Sequence, residues 1–163
     1  VVATVGRIQA GTTNNVIPEA AELDITMRSL SEDTRERLAS GVCNLIEQIP
    51  VAHGLRGEVK LKRGYPPTIN HAAGAELVAK AAQGLLGTEG YRLMPNPDMA
   101  SEDFSYLLQR YNGAFAFLGV APPGTDGKAA PCHSNHMLVD EDAMPIGVAM
   151  HAAIVFSSLS GLT

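Results

Sequence analysis

Residues 22–30 read E-L-D-I-T-M-R-S-L, and this alternation constrains the fold more than any other stretch. Leu23, Ile25 and Met27 fall on one face, and Glu22, Asp24, Thr26 and Arg28 on the other. Successive side chains of a strand point to opposite sides, so the segment predicts a half-exposed strand of an antiparallel sheet. Residues 1–9, rich in Val and Ile, alternate likewise. With the turn-forming run A-G-T-T-N-N over residues 10–15, the two segments read as one hairpin-like unit.

Ser31 is a good N-cap, and Leu38, Val42, Leu45, Ile46 and Ile49 recur at helical spacing, which predicts a helix over 34–52 ended by His53-Gly54. Residues 57–65 return to period two as a third strand, stopped by Pro66-Pro67. The order strand, strand, helix, strand makes a two-layer α+β unit. A split βαβ (ferredoxin-like) fold needs one more strand and helix, and they would have to precede Val1. The chain opens on a strand at Val rather than Met, so we expect it to be the C-terminal part of a longer protein.

Pro66 to His71 reads as a junction. Beyond it the pattern predicts a helix over 72–86 ended by Gly87, a short strand over 91–94, and a short helix over 102–110 capped by Ser101. The apolar run A-F-A-F-L-G-V over 114–120 predicts a strand buried on both faces. A Pro/Gly loop over 121–131 and an irregular stretch over 132–139 follow. A last helix, capped by Asp140, runs to about residue 158. Helices alternating with strand-like runs indicate an α/β layer, so the fold class is α/β with domains at 1–68 and 69–163.

Composition narrows the function. Twelve basic residues against 17 acidic give a net charge of −5 over 163 residues, and no basic block exists, so a general nucleic-acid surface is excluded. The hydrophobic share of 45% suffices for a core. Cys43 and Cys132 make neither a disulfide framework nor a structural zinc knuckle. The least polar stretch, 143–156, is broken by Pro145, Gly147 and His151 and is too short to span a bilayer. No signal peptide is legible. We expect a cytoplasmic protein that engages no membrane.

Chemistry has few candidate carriers. His133 and His136 lie in P-C-H-S-N-H-M, after a buried-strand pattern and before a helix, where α/β proteins place their sites; each is a possible metal ligand or a solvated loop imidazole. Glu102 and Asp103 open a helix, where the dipole alone favours carboxylates and where they could equally form a site wall. Arg28 offers the planar fork that a carboxylate substrate needs, or is an exposed strand residue. Asn15, before Val-Ile-Pro, either satisfies loop backbone or converges with Arg28. No phosphate loop, dinucleotide fingerprint or Gly-x-Ser-x-Gly elbow is present.

Several stretches, in order from end to end, resemble one family: V-x-T-V-G-x-I-x-x-G with N-V-I-P and A-E-L-D-I-T-M-R (2–28), G-Y-P-P-T-I-N (64–70), S-E-D-F-S-Y-L (101–107), A-F-x-F-L-G (114–119) and H-S-x-x-x-x-V-D-E-D-A-M-P-I-G-V-A (133–149). The resemblance is to the amidohydrolase branch of the aminoacylase/carboxypeptidase-G metallopeptidases, which includes hippurate hydrolase and hydrolases of N-acyl and indole-acetyl amino acids. It implies the later part of a ferredoxin-like lid (dimerisation) domain, followed by the C-terminal part of an α/β zinc-peptidase-like catalytic domain. By position, His133 matches the last ligand of a two-metal site, zinc or manganese, that activates a water against an amide. The general base and the other ligands are implied upstream, in an N-terminal part of the same protein.

By the same resemblance, Asn15 and Arg28 match the lid residues that hold the substrate's carboxylate and carbonyl groups, and Glu102 and Asp103 match a motif near the metal pocket. The implied substrate is an N-acyl amino acid, and the implied assembly is a homodimer through the lid. The sequence departs from the family at Tyr65, where some relatives carry Arg, and at Asn135-His136-Met137 after the ligand. A rival reading is a non-catalytic binding or dimerisation module.

Overall fold

The computed structural model describes residues 1–125 and 127–161. Mixed helix and strand form two compact units, one built from residues 1–68 with 96–106, the other from 69–95 with residues from 107 onward. Residues 96–106 thus cluster with the hairpin unit rather than with the stretch that surrounds them in sequence.

In the first unit, strand β1 (Val2–Ala10) pairs antiparallel with β2 (Ala21–Arg28), in a register from Val2 opposite Arg28 to Ala10 opposite Ala21. A bulge between Val5 and Arg7 shifts the register. On the outer face, Arg7 Nε lies 2.6 Å from Asp24 Oδ2 across the strands. Ile25 and Met27 are half-buried on the other face, as the alternation requires. Helix α1 (Glu32–Val51) starts at Ser31, whose hydroxyl accepts from the Thr34 N–H at 3.3 Å. Glu32 and Asp33 occupy the first turn, where the helix dipole favours them.

The expected strand over 57–65 does not form a ladder. Among the described residues β1 and β2 pair only with each other, and a strand needs a neighbour to satisfy its backbone. Helix α1 holds this segment by side chains instead. Arg63 pairs with Glu36 through both guanidinium nitrogens, and Arg35 Nη2 donates to the Gly64 carbonyl at 2.7 Å. Gly57 lies so close to α1 that a Cβ there would overlap the Ile46 carbonyl.

In the second unit, α2 (Ala72–Leu86) ends at Gly87, which has φ +77°, a conformation that favours glycine. It packs against α4 (Ala143–Leu159). A 3₁₀ turn over Thr88–Gly90 follows α2, and no strand forms over 91–94. Helix α3, a single turn over Ser105–Leu108, straddles the boundary between the two units at residues 106 and 107. Its expected start at residue 102 is occupied by tighter bonds: Glu102 Oε1 accepts from the Phe104 N–H at 3.1 Å, and the Asp103 carbonyl accepts from Tyr106 at 3.0 Å. At α4, Asp140 caps a preceding turn by accepting from the Asp142 N–H at 3.1 Å, so the helix begins two residues later than expected, at Ala143 after Asp142.

The apolar run over 114–120 is not a buried strand in this chain. It has no ladder, and Phe117 is 62% exposed. Asn70 stands in for a neighbouring strand at one point, its Nδ2 donating to the Phe115 carbonyl at 2.9 Å and its Oδ1 accepting from the Phe115 N–H at 2.8 Å. The chain closes on itself tightly at Gly74, where a Cβ would sit 2.6 Å from the Gly113 carbonyl carbon. Part of the expected loop over 121–131, Asp126, lies outside the described residues. The buried apolar side chains described are Ala39, Ala81, Ala82, Leu108 and Ala143, a small core for so apolar a chain.

Candidate metal centre and substrate contacts

His133 sits at the third position of a turn closed by the Ser134 N–H donating to the Pro131 carbonyl at 3.1 Å. Its φ is +70°, and no other non-glycine residue described has a positive φ. A left-handed backbone crowds Cβ against the following carbonyl and costs roughly 1–2 kcal/mol; Gly or Asn is usual at such a turn position. The side chain is exposed. A second turn follows at once, the Met137 N–H donating to the Ser134 carbonyl at 3.1 Å. Strain of this kind persists where surroundings enforce it and concentrates at functional sites.

Among the described residues no group of three or more His, Cys, Asp or Glu side chains could hold a metal ion. Structural and catalytic zinc sites take at least three protein ligands. As a donor, an exposed imidazole on an enforced turn therefore fits one position of a shared coordination sphere and not a whole one. His136 is exposed on the same loop, its N–H donating to Ser134 Oγ at 3.1 Å.

The substrate candidates lie in the first unit. Asn15 is exposed in the connection between the strands, its Oδ1 accepting from the Thr13 hydroxyl at 3.1 Å. Arg28 is the last residue of β2, opposite Val2. The two therefore occupy opposite ends of the hairpin, because the seven steps from Ala21 to Arg28 along β2 cover about 23 Å at a strand's rise. The structure does not bring them together. Arg28 Nη1 instead donates to the Met99 carbonyl at 2.5 Å, a contact across 71 positions of sequence with no sequence signature. Glu102 and Asp103 follow in that same segment. Glu102 is half-buried, with one carboxylate oxygen spent on the Phe104 N–H, whereas Asp103 is exposed.

The sequence matches the description "Peptidase family M20/M25/M40" over residues 4–157, and the chain belongs to that family. It is 33% identical over 154 residues to thermostable carboxypeptidase 1 of Saccharolobus solfataricus, covering 93% of this chain and 38% of that protein. It is 35% identical over 141 residues to N-acetyl-L-cysteine deacetylase of Bacillus subtilis, covering 86% of this chain and 32% of that protein. Among solved structures, a Bacillus subtilis protein described as a dinuclear metal-binding peptidase of the M20 family superposes with a TM-score of 0.81 at 25% identity, over 98% of this chain and 42% of that one. The chain thus spans about a third of the length of the curated relatives it matches.

Proposed function

We propose that this chain is the C-terminal part of a metal-dependent amidohydrolase acting on N-acyl amino acids, in which His133 is one ligand of a two-metal site. The observation that carries this reading is the left-handed backbone of His133, on an exposed turn inside the motif that resembles the family's last ligand. One relative is named as a deacetylase of an N-acetyl amino acid and a structural neighbour as dinuclear, and both names support the reading. Bound divalent ions, zinc or manganese, would polarise the amide carbonyl and lower the pKa of water.

On this reading, the chain's own residues do the following. His133 supplies a neutral ring nitrogen to one ion. Arg28 presents its unused guanidinium donors to the substrate's free carboxylate, a charge-assisted contact of the strong kind. Asn15 offers an amide to the substrate's carbonyl. Because the hairpin separates the two, each would serve a different end of the substrate or a different copy's site, in a homodimer formed through residues 1–68 acting as the lid. Glu102 and Asp103 wall the pocket, residues 69–163 complete a catalytic domain begun upstream, and the general base comes from that upstream part. Two free cysteines fit a cytoplasmic location, and no helix described is long and apolar enough to cross a membrane.

The test is metal stoichiometry in the full-length protein. His133→Ala is expected to lose one ion per protomer and N-acyl-amino-acid hydrolysis together. Unchanged metal content in that variant would end the assignment. The rival reading, a binding module, requires both properties to be absent from the parent protein.

A further inference from the structure

We propose that Ser134 is the positioning residue that locks His133 in its left-handed conformation, and so fixes the direction in which the imidazole leaves the chain. The inference rests on the metal-ligand reading of His133. Ser134 is half-buried and is shared by two consecutive turns. Its N–H donates to the Pro131 carbonyl at 3.1 Å, its carbonyl accepts from the Met137 N–H at 3.1 Å, and its hydroxyl accepts from the His136 N–H at 3.1 Å. All three of its polar groups are thus committed to the loop. The two backbone bonds would be available to any residue here except that proline lacks the donor. The hydroxyl bond is what Ser or Thr adds: it ties the second turn to its own first residue, and with it the carbonyl that follows His133.

A left-handed histidine is a minority state that relaxes toward negative φ unless the flanking turns forbid it. Loosening the second turn frees ψ at Ser134 and lets the first turn open. A metal ligand that must re-adopt the strained geometry on binding gives up affinity, as removal of outer partners of a ligand does by 10–100-fold in general.

The experiment compares Ser134→Ala, Ser134→Thr and His133→Ala in the full-length protein, reading the zinc dissociation constant by chelator competition and the melting temperature of the metal-free form. Ser134→Ala is expected to bind zinc about tenfold more weakly while the metal-free form melts with the parent. Ser134→Thr, which keeps the acceptor, is expected to bind like the parent. Parent-like affinity in Ser134→Ala, or a Thr variant as weak as the Ala variant, overturns the proposal. His133→Ala separates the layers: if it too binds zinc like the parent, the ligand assignment has failed. If it alone loses zinc, only the positioning role has failed.

Discussion

The backbone of His133 is the residue-scale feature on which the site turns. Its φ of +70° is stabilised by nothing in the imidazole itself, so glycine should fit the turn better. His133→Gly is expected to stabilise the folded chain by up to about 1 kcal/mol, the left-handed cost removed less the extra chain entropy of glycine. Urea denaturation measures this, and a loss of stability in that variant would show that the turn is not strained. The histidine motif was legible in sequence as a candidate, but its conformation was not. Only glycine announces a left-handed position, and here the turn is closed by the bond from the Ser134 N–H to the Pro131 carbonyl and braced by the one from the His136 N–H to the Ser134 hydroxyl. Arg28 illustrates the same limit: its polar face was legible, its contact with the Met99 carbonyl was not, since nothing local connects the two.

At the scale of elements, local chemistry decided what could be read. Both ends of α2 follow from the sequence, because Gly87 stops the helix and residues 72–86, despite Gly74 and Gly84, are otherwise rich in alanine and leucine and hold no proline. The hairpin follows from period-two alternation with a turn between. The runs over 57–65 and 114–120 carry strand patterns just as clear, yet form no ladder, because pairing depends on neighbours that no local pattern supplies. What holds the first of these is testable. Gly57→Ala would drive a Cβ into the α1 backbone at Ile46, and overpacking of this kind costs about 1–3 kcal/mol; a variant that melts with the parent would contradict the contact. The hydrogen bond from Arg63 holds the Glu36 carboxyl below its ordinary value, against the opposing effect of desolvation. A lowered folded pKa contributes stability above the unfolded value, and that contribution is lost as pH falls through the folded one. The parent should therefore be more stable than Glu36→Gln at neutral pH, and urea denaturation should find that difference shrinking as the pH falls below the ordinary glutamate range. Equal stability of the two at neutral pH would exclude the tether.

For the whole molecule, the contrast between composition and burial is the main fact. A chain 45% hydrophobic buries chiefly alanines, while Val148, Phe156 and Leu159 on α4 are 70–81% exposed. Helix α4 is apolar on all sides, a pattern that belongs to buried helices. The 163-residue polypeptide is accordingly expected to bind a hydrophobic dye such as ANS and to hydrolyse no N-acyl amino acid, since one imidazole cannot complete a metal site. Hydrolysis by this polypeptide alone would contradict the proposed division of ligands. The most direct measurement is anomalous diffraction at the zinc edge from crystals of the full-length protein. The expected result is a metal peak about 2.0–2.1 Å from a ring nitrogen of His133, with a second peak nearby. A fully loaded two-metal site from which the His133 ring is turned away, bonded to no ion, would contradict the assignment.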